Sequence, residues 1–392
     1  MHGWPYYSEN QIATVAEVLR SGKVNYWTGE EGRNFEKEFA EYCHTRYAVA
    51  VANGTVALEL ALRALDIGPG DDVVVPSSTF VATASAVALC GARPVFADVD
   101  PDSQNITVDT ILPVLSPHTK AIIAVHLAGW PCEMDPILEL AAKYNFKVIE
   151  DCAQAHGATY KGRPVGSLGD VAAFSFCQDK IISTGGEGGM LVTNNHKVWE
   201  KAWSFKDHGK SFAAVHSQHH LPGFRWLHHS FGTNLRMTEM QAAIGRLQLE
   251  KLPEWHSRRR QIAARLTRCF EKIPAFRVVK SPVHIEHAYY KYTVFVRSEV
   301  LNMEWNRDRI MGAINAEGIP CFTGSCAEVY LEKAFDSDHL RPANRLPVAS
   351  KLGKTELSFL VHPTLLDDEI ETTCEVVESV LMDVVRKKTA LA

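Results

Sequence analysis

The chain has 392 residues, of which 46% are hydrophobic and 22% are charged, and its formal net charge is −5. The 41 basic and 46 acidic side chains are spread without long runs, which argues against a surface for nucleic acid or for an anionic membrane. A chain of this length exceeds the usual size of one hydrophobic core, so we expect two domains. Small molecules are the expected partners.

Nine cysteines are scattered along the chain without a CxxC pair, and the histidines lack the spacing of metal ligands. We interpret the cysteines as reduced thiols and expect no metal site. The segment Met1 to Tyr7 lacks the charged and apolar regions of a secretion signal, and no apolar segment of about 18 residues follows it. These features predict a cytoplasmic protein.

From about residue 46 onward, short apolar segments alternate with helical patterns. Such an alternation predicts an α/β domain with a mostly parallel sheet that is covered by helices on both faces. The seven predicted strands are Tyr47 to Ala52, Asp72 to Pro76, Arg93 to Val99, Lys120 to His126, Lys147 to Asp151, Val171 to Phe176 and Met190 to Thr193.

A helical pattern from Leu235 to Leu252 continues to Phe270, and Pro253 is predicted to break or kink that helix. The pattern after Pro274 predicts a smaller α+β domain. Its expected elements are strands at 276–279 and 289–296 and helices at 305–317 and 367–385. We therefore divide the chain into a large domain with an N-terminal arm, residues 1–255, and a small domain, residues 256–392.

Two charged residues lie beside predicted buried strands. Asp151 ends its strand, and a buried carboxylate needs a partner to offset a desolvation cost on the order of several kcal/mol. Lys180 closely follows the strand Val171 to Phe176, and desolvation there favours the neutral, nucleophilic amine. An amine that forms an imine, a carboxylate that pairs with a ring cation and a glycine-rich turn are what an enzyme that uses pyridoxal 5′-phosphate (PLP) needs. A helix-capping role remains the alternative for Asp151 alone.

Three further positions fit a bound cofactor. The segment Asn53-Gly-Thr55 joins a strand to a helix, where free N–H groups, the helix dipole and a hydroxyl bind anions; an ordinary capped helix is the alternative. Phe80 follows a strand end, where it can stack on a planar ring, although a lone phenylalanine is more often a core residue. Gln154 lies on the loop after Asp151, at the sheet edge where ligands bind.

Together these segments resemble the DegT/DnrJ/StrS family of PLP-dependent nucleotide-sugar aminotransferases, which has the fold type I architecture. The matching segments are Trp27-Thr-Gly29 with Phe35-Glu36, Asn53-Gly-Thr55, Pro76 to Thr83, Phe96 to Asp100, His126 to Gly129, Glu150 to Gln154, Gly166 to Asp170, Ser175-Phe176 with Lys180, Gly186-Glu-Gly-Gly189, His208-Gly209, Gly232 to Met237 and Gln241 to Gly245.

The resemblance implies that Lys180 binds PLP covalently and that Asp151 pairs with the pyridinium nitrogen. The other implied cofactor-binding residues are Gln154 near the ring hydroxyl, Phe80 on the ring face, Gly54, Thr55 and Ser175 around the phosphate, and Asn234 from the partner subunit of a homodimer. Two positions depart from the family pattern. Cys177 stands where the family commonly has histidine, and the loop between Lys180 and the Gly186-Glu-Gly-Gly189 turn is longer.

The activity that the resemblance implies is a two-step amino transfer. PLP takes an amino group from glutamate and becomes pyridoxamine 5′-phosphate, which then donates the group to a keto group on a nucleotide-linked hexose. We expect a 4-keto-6-deoxy sugar that is used for a surface polysaccharide, such as the O-antigen of lipopolysaccharide. The nucleotide carrier and the position of the ketone stay open.

A basic and aromatic region covers Trp203 to Lys210 and His216 to His229. We interpret it either as a mobile surface loop or as a cover over the nucleotide-sugar entrance. The candidate substrate-binding residues are Trp27, Thr28, Lys206, His208 and Arg225.

Two other functions are kept as alternatives. One is a protein that binds PLP or a nucleotide sugar as a regulator without turnover. The other is a PLP-dependent sugar 3-dehydratase, whose relatives have histidine at the lysine position. Lys180 argues against the dehydratase.

Overall fold

The computed structural model describes residues 3–217, 225–336, 340–382 and 384. In chain order, the first elements are α1 (Glu9–Ser21), α2 (Glu31–Tyr42), β1 (Tyr47–Val51), α3 (Gly54–Ala64), β2 (Asp72–Pro76), α4 (Val81–Leu89), β3 (Arg93–Ala97), α5 (Val108–Ile111), β4 (Thr119–Val125), α6 (Met134–Tyr144), β5 (Lys147–Asp151), β6 (Thr159–Tyr160), β7 (Arg163–Pro164), β8 (Val171–Ser175) and β9 (Gly189–Thr193). The remaining elements are α7 (His196–Lys206), α8 (Phe212–Val215), α9 (Glu239–Phe270), β10 (Phe276–Arg277), β11 (Ile285–Glu286), β12 (Tyr292–Val296), α10 (Arg307–Ala316), β13 (Cys321–Phe322), α11 (Pro347–Leu352), β14 (Glu356–Phe359) and α12 (Asp367–Met382).

Seven strands form the main sheet in the order β1-β9-β8-β5-β4-β2-β3. The pairs from β3 to β8 are parallel, whereas β9 pairs antiparallel with both β8 and β1. Each predicted strand lies in this sheet, so the mostly parallel seven-stranded architecture is confirmed. In the register of β5 and β8, Asp151 is opposite Ala173. The carboxyl ends of these two strands therefore meet at one edge.

Helices cover both faces of the main sheet. On one face, Leu58 of α3, Ala84 of α4 and Trp203 of α7 pack with Val73 and Val75 of β2. The other face packs on α6, and its cluster includes Ile137 and Leu140. Because both faces are buried, the strands are apolar along their whole length instead of alternating. No helix among the described residues is long and apolar enough to cross a membrane.

The C-terminal part has its own sheet and core. The four strands β10-β12-β14-β13 pair antiparallel, with α10 and α12 among the helices near them. Their cluster includes Ile262, Val294, Ile314, Leu357 and Val377. A third, three-stranded sheet of β11, β6 and β7 joins the segment after β10 to the large region.

Helix α9 is one 32-residue helix with Pro253 inside it. Of the two predicted effects of Pro253, a break or a kink, the break is wrong: α9 continues through it and packs along α1 and α2, which offsets the hydrogen bond that proline cannot donate. We propose that the domain boundary between residues 255 and 256 lies within this helix. In support, Trp255 packs against the large-domain cluster, whereas Ile262 belongs to the small-domain core.

The crossing of α9 over α2 depends on a glycine. A Cβ atom at Gly245 would lie 2.6 Å from the ring of Phe35, which is fully buried. We expect Gly245→Ala to lower the free energy of unfolding by about 1–3 kcal/mol, the usual effect of overpacking a core. Chemical denaturation measures the change.

Gly312→Ala in α10 is the matched control, because a Cβ at Gly312 has no atom within 4 Å. It should stabilise the protein by about 0.5–1 kcal/mol through helix propensity. Equal stability changes in the two variants would contradict the tight crossing.

Candidate active site

A cavity of about 610 Å³ opens at the carboxyl ends of β5 and β8, and residues of the small antiparallel sheet complete its wall. Seven of the predicted cofactor-binding residues line it. They are Gly54, Thr55, Phe80, Asp151, Gln154, Ser175 and Lys180. The lysine and the aspartate therefore face the same space, as one cofactor ring between them requires.

Asp151 is the buried acid of this cavity, with 5% of its surface exposed. Its Oδ2 accepts a hydrogen bond from the hydroxyl of Thr83 at 2.9 Å, and its Oδ1 accepts one from the N–H of Ala153 at 3.1 Å. Burial raises the pKa of Asp151, and these two donors lower it only in part. Thr79 lies 2.8 Å from Thr83 and can donate to it in turn. The carboxylate has two neutral donors and room for a cation.

The neighbouring Glu150 faces the opposite side of β5 and is fully buried. It accepts N–H groups of Gly166, Leu168 and Gly169, and the ring of His126 lies 3.0 Å away. Burial alone raises the pKa of Glu150, but the His126 ring and the backbone donors hold it below its ordinary value.

The tautomer of His126 follows from its two contacts. Nδ1 accepts the N–H of Cys132 at 3.0 Å, so Nε2 carries the proton and donates it to Glu150. The backbone N–H of His126 donates to the carbonyl of Asp151 at 3.1 Å. These hydrogen bonds fix the carboxyl end of β5, which carries Asp151 into the cavity.

The N-terminus of α3 forms the second part of the site. The Asn53 side chain caps the helix by accepting the N–H of Val56 at 3.0 Å. The first N–H groups of a helix have no partner within it, so those of Gly54 and Thr55 are suited to an anion. A Cβ at Gly54 would lie 2.6 Å from Cβ of Ser175, so only glycine permits this approach of α3 to β8.

Lys180 lies in the loop between β8 and β9, and its side chain is 15% exposed. Its Nζ lies 4.9 Å from the centre of the Tyr290 ring and 3.9 Å from Oδ1 of Asp179. The hydroxyl of Tyr290 donates to Asp179. The indole N–H of Trp4 donates to the main-chain carbonyl of Lys180 at 2.9 Å. The amine is thus held in the cavity without a close ion pair.

Phe80 and Gln154 complete the predicted set. Phe80 precedes α4, lines the cavity and leaves 65% of its surface exposed, so its ring is free to contact a ligand. Oε1 of Gln154 accepts the N–H of Ala128 at 2.7 Å, and this bond fixes the amide at the cavity wall.

The other six predicted site residues are not among those that line the described cavity. Asn234, Thr28, His208 and Arg225 are exposed, and Trp27 is partly buried. Trp27, His208 and Asn234 belong to one region: Lys210 lies over the Trp27 ring at 4.2 Å, its Nζ is 3.0 Å from Asp207, and Asp207 bridges to Asn234.

Lys206 needs a correction. It is fully buried, and its Nζ lies 3.6 Å from the centre of the Tyr26 ring. A side chain in this position does not reach a ligand, so the expected contact with the diphosphate is not supported. The basic and aromatic region is predicted to be either a mobile surface loop or a cover over the entrance. Trp203 to Lys206 instead form the last turn of α7, and residues 218–224 of the region lie outside the described part.

Three residues that line the cavity were not predicted from the sequence: Tyr290, Lys291 and Glu356. Tyr290 lies against Lys180, and Lys291 follows it at the cavity wall. Glu356 is 2% exposed and comes from the small sheet. No local pattern marks these residues, because each reaches the cavity only through the packing of distant segments.

Burial raises the pKa of the Glu356 carboxyl from 4.5 to about 8, although Gln104 and Arg307 lower it. Nε2 of Gln104 donates to Oε1 of Glu356 at 3.1 Å. Oε2 of Glu356 and Oε1 of Gln104 each have no hydrogen-bond partner in the described structure. A proton on Glu356 is therefore the state that suits this pair.

The folded protein keeps this proton between pH 4.5 and about 8, whereas the unfolded chain loses it, so the free energy of unfolding falls as the pH rises across that range. We expect Glu356→Gln to remove this fall in the free energy of unfolding, because the glutamine amide does not ionise. The stability of the variant relative to the wild type should rise by about 1–3 kcal/mol between pH 5.5 and 8. Denaturant unfolding at both pH values measures it.

Glu299→Gln, at an exposed position, should show no such pH-dependent difference. A difference between wild type and Glu356→Gln that stays constant with pH would contradict the buried proton.

A main sheet of this order, with a lysine, an acid and a helix N-terminus at the carboxyl ends of its strands, defines a fold type I PLP enzyme. The model of the DegT/DnrJ/EryC1/StrS aminotransferase family matches residues 5–378. The chain belongs to this family, whose enzymes depend on PLP.

Three similar proteins illustrate the family. GDP-perosamine synthase of Caulobacter vibrioides is 37% identical over 367 residues, which cover 91% of this chain and 92% of that protein. The dTDP-3-amino-3,4,6-trideoxy-α-D-glucose transaminase of Streptomyces venezuelae is 36% identical over 355 residues, which cover 90% and 87%. The solved aminotransferase from Psychrobacter cryohalolentis is 54% identical with a TM-score of 0.96, covering 98% of this chain and 99% of that one.

The residues in the cavity fit PLP. Asp151 is a buried carboxylate that lacks a cation within hydrogen-bond distance in the described part, and a pyridinium nitrogen supplies one. The N-terminus of α3 suits a phosphate, and the exposed ring of Phe80 suits a planar partner. Lys180 offers the amine.

The hydroxyl of Thr83 should matter for cofactor affinity. Thr83→Val removes one of two donors to Asp151, so the carboxylate becomes harder to keep ionised and pairs less well with a ring cation. We expect PLP to dissociate roughly 10-fold more readily, since a hydrogen bond to a charged group is worth about that much. Spectroscopic titration of the apoprotein with PLP measures the change.

Thr83→Ser keeps the hydroxyl and should retain affinity close to the wild type. Unchanged affinity in Thr83→Val together with a loss in Thr83→Ser would show that the methyl group of Thr83, and not its hydrogen bond, is what matters.

Proposed function

We propose that this protein transfers an amino group from glutamate to a keto group of a nucleotide-linked hexose. The observation that carries the proposal is that Lys180 and Asp151 line one cavity with the N-terminus of α3. This arrangement provides an amine, a counter-charge for a ring nitrogen and an anion site within the space of one cofactor. A regulator without turnover would not need the amine beside the acid.

PLP, when bound, supplies an electron-accepting ring and a reactive aldehyde carbon. Asp151 holds the positive charge on the ring nitrogen, because a buried carboxylate is strongly stabilised by a cation. The N-terminus of α3 binds the phosphate and sets the position of the ring. Phe80 would cover one face of the ring.

Lys180 has two tasks in this proposal. Its amine binds the cofactor covalently between turnovers. With PLP in place, the freed amine would act as the acid–base group that takes the proton from the donor carbon and holds it for the return transfer. The Tyr290 ring and the Asp179 carboxylate flank Nζ and so limit where the amine can lie.

For the acceptor we propose a 4-keto-6-deoxyhexose used in a surface polysaccharide such as O-antigen. The names of the curated relatives support a nucleotide-linked amino sugar. One relative is named for a GDP sugar and the other for a dTDP sugar at nearly equal identity, so the nucleotide is left unassigned.

We also propose a cytoplasmic homodimer in which Asn234 reaches the phosphate in the partner's cavity. The support is geometric: Asn234, Trp27 and His208 lie in one region outside the chain's own cavity, so a role at such a site needs a second copy. Thr28 and Arg225 are exposed and remain candidate contacts to the sugar nucleotide. The nine cysteines are all free thiols, which fits a reducing compartment.

Replacing Lys180 tests the proposal directly. Lys180→Ala should lower glutamate-dependent amino transfer by at least about 100-fold, because the acid–base group is lost. The variant should still bind pyridoxamine 5′-phosphate, because Asp151 and α3 are intact. Mass detection of the exchange of oxo for amine on 4-keto-6-deoxy sugar nucleotides measures the first effect, and equilibrium dialysis measures the second.

Lys37→Ala, at a side chain that is 77% exposed, is the matched control and should keep full activity. Full activity in Lys180→Ala would overturn the assignment. A wild-type protein that binds PLP but leaves its amino state unchanged with glutamate would favour the regulatory alternative.

A further inference from the structure

Lys291 is a second amine in the cavity, and the amino transfer described above does not use it. It lines the cavity directly after Tyr290, and its side chain is partly buried. Its Nζ lies 5.3 Å from the ring centres of both Tyr290 and Phe322. Among the described residues, no carboxylate lies within ion-pair distance of Lys291 and no acceptor takes its hydrogen bonds. Burial lowers the pKa of Lys291, and the charge of Asp179 opposes that effect.

The backbone that carries Lys291 is held rigidly. The N–H groups of Ala288 and Tyr290 donate to the carbonyls of Gly129 and Ala128, at 2.8 and 2.9 Å. On the other side, the buried Arg259 of α9 donates to the carbonyl of Tyr289 at 3.1 Å. The Lys291 side chain therefore extends from a fixed backbone segment at the cavity wall.

Lys291 lies beside the reacting amine. Tyr290 separates the two lysines: Nζ of Lys180 is 4.9 Å from its ring centre and Nζ of Lys291 is 5.3 Å from it. Asp179 does not neutralise Lys291, because its carboxylate accepts the Tyr290 hydroxyl and lies 3.9 Å from Lys180. An unpaired ammonium next to the site of bond breaking is suited to an anionic group that is close to the reacting carbon of a substrate.

The number of bonds between the anionic group and the reacting carbon shows which substrate carries it. In an α-amino acid the carboxylate is attached directly to the carbon that gives up its amino group. In a sugar nucleotide, the phosphorus is several bonds away from any ring carbon that carries a ketone. Only the amino donor therefore brings an anion within reach of both Lys180 and Lys291. The phosphate of PLP is accounted for by a different element, the N-terminus of α3.

We propose that Lys291 binds the α-carboxylate of the amino donor and so selects an α-amino acid as the donor. The inference rests on the proposed amino transfer. It makes Lys291 a substrate-binding residue in the first half of the reaction, with no part in binding the sugar nucleotide.

Donor binding is tested in the first half-reaction alone, in which the amino donor converts PLP to pyridoxamine 5′-phosphate and no sugar nucleotide is present. Holoenzyme is mixed with L-glutamate, L-glutamine or L-isoglutamine, and formation of pyridoxamine 5′-phosphate is followed by absorbance. Glutamine keeps the α-carboxylate and lacks the γ-carboxylate, whereas isoglutamine carries an amide in place of the α-carboxylate. For Lys291→Gln, the half-saturating concentrations of glutamate and glutamine should rise roughly 10- to 100-fold, the usual worth of a charge-assisted hydrogen bond. That of isoglutamine should not change.

Two further variants provide controls. Lys291→Arg keeps the charge and should recover most of the affinity for glutamate. Lys280→Gln, whose side chain is 64% exposed, should behave as the wild type. UDP, GDP and dTDP should inhibit the formation of pyridoxamine 5′-phosphate equally in the wild type and in Lys291→Gln. Equal inhibition also shows that the variant is folded.

Other outcomes would overturn the inference. A loss seen with glutamate and isoglutamine but not with glutamine would assign Lys291 to the γ-carboxylate. Weaker inhibition by the nucleoside diphosphates would assign it to the sugar nucleotide. Unchanged half-saturation for every donor would remove it from donor binding while leaving the proposed function intact, whereas a wild-type protein that converts none of the donors would overturn the proposed function itself.

Discussion

The buried carboxylate of Asp151 is the charge on which the rest of the site depends. It lies at the end of a strand whose two faces are both covered, so water cannot solvate it, and two neutral donors stabilise it only in part. A cation in the cavity would correct this imbalance, and in the proposed function it is a protonated ring held by α3 and Lys180. Because Glu150 anchors the same strand end through His126, the carboxylate has little freedom to turn away.

Much of the large domain could be predicted from the sequence. Its strands are buried on both faces, and this environment leaves continuous apolar segments that are visible without a structure. Six of the seven residues that meet in the cavity could be predicted from their places at a strand end, on the loop after it or at the start of a helix, whereas Ser175 was implied only by the family resemblance. The helix does not break at Pro253, because its packing on α1 and α2 outweighs the local effect of proline.

The residues that could not be predicted share a different origin. Tyr290, Lys291 and Glu356 come from the small domain, and only the docking of that domain onto the main sheet brings them to Lys180. Lys206 was misplaced for the converse reason. A lysine near the end of a helix is usually solvated, and the aromatic rings of Tyr26 and Trp203 that enclose this one come from separate parts of the chain.

The buried Arg259 of α9 supports the backbone segment that carries Lys291. Its guanidinium has no carboxylate partner among the described residues and donates to the main-chain carbonyls of Tyr289 and Tyr290. Arg259 does not line the cavity, but its hydrogen bonds fix the position of the backbone segment that carries Lys291. If Lys291 selects the donor as proposed, a substitution in the core of α9 would change donor preference without replacing any group that a ligand contacts.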